Sequence, residues 1–271
     1  MEMTALEVHK FLQGIIESDL EDGLLERLMQ KPYIYTMCRN IIEHDNTYLR
    51  QSGRFADIIR LIPLEHNLKV LDVGAGVGFL SILLKKKFRC DVEAVDLEGS
   101  VSFWAERFEK YGILIKPCDI GRDSLPFLDN TFDIVVFSEV IEHLTASPKR
   151  ALEEIKRVLK RGGYLVLTTP NLARASNIVK LILGRSLLPQ VSESDWISSP
   201  STPHLREYTV GELKQLVKQA GLENEKVYMS RCWDKLRTPG YASILTFSNN
   251  IVTLVLPRFR SCSMIRALKV G

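Results

Sequence analysis

Three glycines and two aspartates stand at a spacing that suits the binding of a nucleoside. The run Val70-Leu71-Asp72-Val73-Gly74-Ala75-Gly76-Val77-Gly78-Phe79 is a short apolar segment that passes straight into a glycine turn and then into a helical pattern. Glycines let the backbone turn tightly and approach a ligand, while the free amides of a helix N-terminus face its polar groups. Asp96 closes the next apolar run, 22 residues after Gly74, close to the roughly 20 expected for a carboxylate that binds ribose hydroxyls. A second group, Ser138-Glu139-Val140-Ile141-Glu142-His143-Leu144, follows a later apolar run. As a helical turn it would bring Glu139, Glu142 and His143 to one face. Two carboxylates and an imidazole there can take a proton or bind a divalent cation, with His204 as a distant fourth ligand.

The sign of the charge beside the glycines chooses between two nucleoside cofactors. A nicotinamide dinucleotide site normally shows G-x-G-x-x-G, whereas this chain has G-x-G-x-G with Asp72 two positions before the first glycine. That carboxylate would repel a pyrophosphate but attract an ammonium and a sulfonium. The charge therefore favours S-adenosylmethionine.

These groups need rigid elements behind them, and the chain supplies strands alternating with helices. Leu68 to Val73, Cys90 to Val95, Ile113 to Ile115, Phe132 to Phe137 and Tyr164 to Leu167 are short apolar runs, with helical spacing around 81–87, 99–110 and 147–160. The pattern predicts an α/β fold, a doubly wound, mostly parallel sheet with helices on both faces. Gly162-Gly163 reads as a helix stop before the last of these strands. Val210 to Ala220 is a further helix ended by Gly221, with strands at Lys226 to Met229 and Met264 to Val270. Residues 1–50 have helical spacing and form an N-terminal cap. Residues 51–271 form the cofactor-binding domain, and 171–208, poor in periodicity, form a lid.

Composition excludes several classes of protein. The 271 residues are 45% hydrophobic and 25% charged, ordinary values for a globular chain. Mean hydropathy is near zero. The formal charge of +3 lacks the basic footprint of a nucleic-acid binder. Five scattered cysteines without a C-x-x-C pair argue against a disulfide framework and fit a reducing cytoplasm. Neither a signal peptide nor a run of about 18 apolar residues long enough for a membrane span is visible.

The order of the motifs resembles the class I S-adenosylmethionine-dependent methyltransferases, including ubiquinone-biosynthesis O-methyltransferases. It rests on 71–79, Ala94-Val95-Asp96, Cys118-Asp119-Ile120, Leu125-Pro126-Phe127, Phe132-Asp133-Ile134-Val135, Glu139 to Leu144 and Gly162 to Leu165, a Rossmann-like, seven-stranded frame across residues 50 to 230. The resemblance implies that Asp72, Gly74, Ala75 and Gly76 line the methionine end of the cofactor. Asp96 with Leu97 would hold the ribose, Asp119 and Ile120 would lie beside the adenine, and Ser138 would sit at the pocket.

The implied reaction moves a methyl group to a small-molecule acceptor at oxygen, with His143 and Glu142 as catalytic residues. A hydroxyl acceptor is a poor nucleophile until it loses its proton, which calls for a base or a metal. One alternative is a metal-assisted RNA 2′-O-methyltransferase using Glu139, Glu142, His143 and His204, although the low net charge speaks against nucleic acid. A non-catalytic cofactor-binding protein is another. The acceptor pocket is expected between cap and lid, where Trp196, Tyr208, Tyr33 and Tyr35 are candidate walls. Asp119 can also cap the turn at Gly121, Asp133 supports its strand, and Arg54 is either a surface arginine or a partner for the cofactor carboxylate. The apolar segments 178–188 and 244–260, flanked by basic residues, read as helices packed on the sheet. Peripheral contact with a membrane is the alternative.

Overall fold

The computed structural model describes residues 2–29, 51–63, 67–187, 204–231 and 253–271. Trp196, Tyr33, Tyr35 and most of the apolar stretch from Ile244 lie outside them. Two helices open the chain, α1 (Ala5–Glu21) and α2 (Leu24–Met29), followed by α3 (Ser52–Leu61). Thr4 and Glu7 form a reciprocal capping box at the start of α1. The alternating region then runs β1 (Lys69–Val73), α4 (Phe79–Phe88), β2 (Asp91–Asp96), α5 (Glu98–Lys110), β3 (Leu114–Pro117), β4 (Phe132–Ser138), α6 (Pro148–Val158) and β5 (Leu159–Pro170). It closes with α7 (Ala175–Ile182), α8 (Val210–Gln219), β6 (Glu223–Ser230) and β7 (Cys262–Leu268).

The seven strands lie in the order β3-β2-β1-β4-β5-β7-β6. The pairs β1–β2, β1–β4, β2–β3 and β4–β5 are parallel, whereas β7 runs antiparallel to both β5 and β6. Alternate residues of each central strand feed opposite cores, which explains their continuous apolar runs. Val70, Val92, Ala94, Ile134 and Val136 join the helices α1 to α5 on one face. Leu71, Val73, Val95, Val135 and Phe137 meet α6 and α8 on the other. This is the doubly wound sheet that the sequence predicts.

The cap has no core of its own among the described residues. Val8, Leu12, Leu24, Leu25 and Leu28 are buried in the same cluster as Val70 and Val92 of the sheet. A buried ion pair fastens it further: Asp19 of α1 accepts from Arg107 Nε of α5 at 2.8 Å, and Lys110 Nζ and Tyr111 Oη also donate to it. The same Arg107 donates to the carbonyl of Val77 in the glycine turn.

Two expectations are corrected. Helix α6 already ends at Val158, and Leu159 is extended and starts β5, so the glycine pair is not a helix stop. Gly162 (φ +76°) lies within β5, where the pairing with β4 jumps from Phe132–Leu159 to Ile134–Tyr164. The pair makes a bulge, and a Cβ on Gly163 would come within 2.9 Å of the carbonyls of Asp133 and Lys160. The apolar end of α7 does not pack on the sheet either. Leu181, Ile182 and Leu183 are exposed, because the inward side of the helix is Ala175 and Asn177, the latter donating to the carbonyl of Leu172.

Candidate functional site

At the switch between β1 and β4, where the strand order reverses and open α/β sheets bind ligands, the carboxyl ends of four strands surround a cleft of about 270 Å³. Val73 ends β1 and Gly74 follows it, Asp96 ends β2 and Leu97 follows it, Cys118 to Ile120 follow β3, and Glu139, Val140, His143, Leu144 and Thr145 follow β4. Of the residues singled out in the sequence, Gly74, Asp96, Leu97, Asp119, Ile120, Glu139 and His143 line this cleft. Cys118, Val140 and Leu144, which belong to the quoted motifs but carried no assigned role, form more of its wall, together with Thr145 just beyond them.

The glycine turn is shaped by neighbours as well as by its own freedom. Gly74 has φ +74°, and a Cβ there would collide with the side chain of Val140. Gly78 has φ +84° and its Cβ would meet the ring of Phe108 on α5 at 2.7 Å. Asp96 is fixed by this turn. Its Oδ2 accepts from the Gly76 amide at 2.6 Å and its Oδ1 from its neighbour Leu97 at 2.7 Å. Burial raises its carboxyl above the usual range against these bonds.

Asp72 and Ser138 stand behind the cleft and do not line it. Asp72 is 3% exposed and accepts from Ser81 Oγ of α4 at 2.5 Å. Burial, reinforced by the charge of Asp96, pushes its carboxyl up to about 6 against the Ser81 bond. Ser138 Oγ shares a 2.8 Å hydrogen bond with Thr168 Oγ1. Asp119 Oδ1 accepts from the Gly121 amide at 3.0 Å, so it caps this turn while lining the cleft. Asp133 supports the entry to β1 and β4 through the amide of Lys69 and the ammonium of Lys160.

The acidic group beyond β4 is not the one-sided helical turn expected. A single 3₁₀ turn covers Ile141–His143, and Glu139 precedes it with φ +57°, which swings its side chain elsewhere. Glu139 Oε1 accepts from Thr168 Oγ1 at 2.9 Å and Oε2 lies 3.5 Å from Arg54 Nη1. Arg54 is accordingly buried and ion-paired, not a surface residue.

Glu142, His143 and His204 do meet. One ligand atom from each lies within 4.8 Å of the others, and the two imidazoles form an edge-to-face pair with centroids 4.9 Å apart. The chain at Leu205 and Arg206 docks here, because both amides donate to the Glu142 carbonyl. Glu142 Oε2 accepts from Thr169 Oγ1 at 2.9 Å, whereas Oε1 is buried without a hydrogen-bond partner among the described residues. Burial, then the neighbouring charge of Glu139, pushes the Glu142 carboxyl up to about 8. His204 is raised by its 3.3 Å contact with Glu207. Burial of Glu207 opposes its ionisation, yet the bonds from His204 and Arg174 hold it down at about 2. A mixed nitrogen and oxygen donor set with one orphaned carboxylate oxygen fits a divalent cation such as zinc or manganese. Tyr208 is buried and pairs at Asn171 with the chain leaving β5.

Among the described residues, no helix is long and apolar enough to cross a membrane. The profile of a methyltransferase domain family matches residues 46–227. A ubiquinone biosynthesis O-methyltransferase of Dinoroseobacter shibae is 29% identical over 156 residues, 58% of this chain and 60% of that protein. A glycine/sarcosine/dimethylglycine N-methyltransferase of Actinopolyspora halophila is 30% identical over 129 residues, 46% of this chain and 21% of that protein. The chain thus spans less than two thirds of the length of these curated relatives. Among solved structures, an S-adenosylmethionine-dependent methyltransferase of Aquifex aeolicus superposes with a TM-score of 0.52 at 20% identity, covering 80% of this chain and 89% of that one. A Haloferax volcanii methyltransferase complex with the activator Trm112 has a TM-score of 0.59 at 15% identity over 94% of this chain and 98% of that one. With two thirds of its residues inside the family profile, the chain belongs to the methyltransferase domain family, in its class I, S-adenosylmethionine-dependent branch.

Proposed function

We propose that the protein moves a methyl group from S-adenosylmethionine to a small-molecule acceptor, at an oxygen atom. The cofactor supplies an electrophilic methyl carried on a sulfonium. Asp96 holds the ribose hydroxyls, with Leu97 beside it, and the main chain of Gly74, Ala75 and Gly76 faces the methionine end. Buried Asp72 and, behind β4, Ser138 support that end through the negative potential of the carboxylate and the strand's hydroxyl pair. Asp119 and Ile120 border the adenine. Holding the acceptor in line at about 3 Å supplies most of the acceleration in such a displacement. His143 lines the cleft and takes the acceptor's hydroxyl proton, while the adjoining Glu142 and His204 keep its ring oriented. The bond from oxygen to carbon forms as that from carbon to sulfur breaks, and the proton ends on the imidazole.

The observation that carries the reading is Asp96, whose two oxygens are aligned by amides of the glycine turn and of Leu97 at the mouth of the cleft. Asp96→Ala is expected to weaken adenosylhomocysteine binding at least tenfold by calorimetry. Unchanged affinity would remove the assignment. The relatives' own names include O- and N-methyltransferases, so the oxygen acceptor rests on the proton-accepting cluster and not on similarity. A labelled methyl recovered on nitrogen or carbon of the product overturns that part alone.

The orphaned Glu142 oxygen favours a second reading, in which Glu142, His143 and His204 hold a divalent cation that would lower the pKa of the acceptor hydroxyl in place of a free imidazole base. Elemental analysis of the purified protein is then expected to give close to one zinc or manganese per chain, lost in His204→Ala. No bound metal in the wild type, with activity indifferent to a chelator, leaves His143 as the base.

A further inference from the structure

A second cavity, about 400 Å³, opens between α3 and the ends of β6 and β7. Its wall contains Asp57 and Arg60 from α3, Tyr228 and Arg231 from β6 and the residue after it, and Leu254 and Arg260 from the approach to β7. Three guanidinium groups and one carboxylate thus line it. That carboxylate is already engaged: Asp57 Oδ1 accepts from Arg60 at 2.9 Å and Oδ2 from Ser230 Oγ at 2.5 Å. Arg260 is held in place by main-chain carbonyls, donating from Nε to Thr253 at 3.1 Å and from Nη1 to Met229 at 2.9 Å. These bonds fix its position without neutralising its charge. Burial and Asp57 raise the Tyr228 phenol, outweighing the opposite pull of Arg60 and Arg260.

A concavity lined by guanidinium groups attracts anions, and the planar guanidinium matches the paired oxygens of phosphate and carboxylate. Residues next to the cavity wall reach Glu139 of the cofactor cleft. Gly53 lines the cavity, and the next residue, Arg54, pairs with Glu139. Two residues beyond Arg260, Cys262 Sγ lies 3.8 Å from the same Glu139.

We propose that this arginine-lined cavity binds an anionic group, a phosphate or a carboxylate, carried by the methyl acceptor. The anion site stands on its own geometry; its assignment to the acceptor rests on the methyltransferase reading above.

Calorimetric titration of the full chain with phenyl phosphate and with benzoate tests it. Arg60→Gln is the primary variant, because its side chain is 41% exposed and lies in the last turn of α3. Arg260→Gln is the second. Saturable binding of at least one probe is expected in the wild type, with Kd raised at least fivefold in Arg60→Gln and adenosylhomocysteine affinity unchanged. A response to phenyl phosphate alone identifies a phosphorylated acceptor, and a response to benzoate alone a carboxylate. Absence of saturable binding by either probe, or a Kd indifferent to both substitutions, overturns the proposal. If the wild type binds phenyl phosphate as expected but fails to bind adenosylhomocysteine, the methyltransferase reading falls and the anion site remains.

Discussion

Asp72 shows how one buried side chain can oppose stability. Its carboxyl lies at about 6 in the fold against an ordinary 3.8. An acid raised in this way favours the folded chain most below pH 4, and that advantage is lost as the pH climbs to about 6. By neutrality the charged, buried group costs about 3 kcal/mol. Asp72→Asn keeps an acceptor for Ser81 without the charge. Its urea midpoint is expected above that of the wild type at pH 7, with the difference vanishing near pH 4, and its affinity for S-adenosylmethionine is expected to fall. A variant less stable at every pH would contradict this. The spacing of Asp72 and Asp96 was legible because strand length and the crossover helix fix it. The roles of Glu139 and Arg54 were not, because the positive φ at Glu139 and the pairing of residues 85 positions apart exist only in the folded chain.

Among elements, strands and helices of the alternating region were read from periodicity, since both faces of each central strand are covered and every run is apolar. Gly162 and Gly163 were misread because a bulge and a helix end demand the same residue type. The link between α1 and α5 left no local pattern either. Asp19 and Arg107 are both almost wholly buried, and removing one partner of such a pair typically costs about 3–5 kcal/mol. Asp19→Asn is expected to lower the urea midpoint by a corresponding amount. It is also expected to weaken cofactor binding, because Arg107 holds the Val77 carbonyl of the glycine turn. Weakened binding in a variant of unaltered stability would mean that α1 acts on the turn by another route.

For the whole molecule, α1 and α2 share their buried core with the sheet. The amides of α1 are therefore expected to exchange with solvent as slowly as those of β1, in a single cooperative unit. Faster exchange of α1 by orders of magnitude would indicate an independently opening cap. The sheet order carries a further consequence for biosynthesis. Strand β7 lies between β5 and β6 although it comes after both in the chain. While residues 262–268 are still inside the ribosome, the nascent protein presents β5 as a bare edge, open to pairing with any neighbouring strand. A chaperone that shields this edge until the final strand is released would improve the yield of folded protein more than any slowing of the earlier helices.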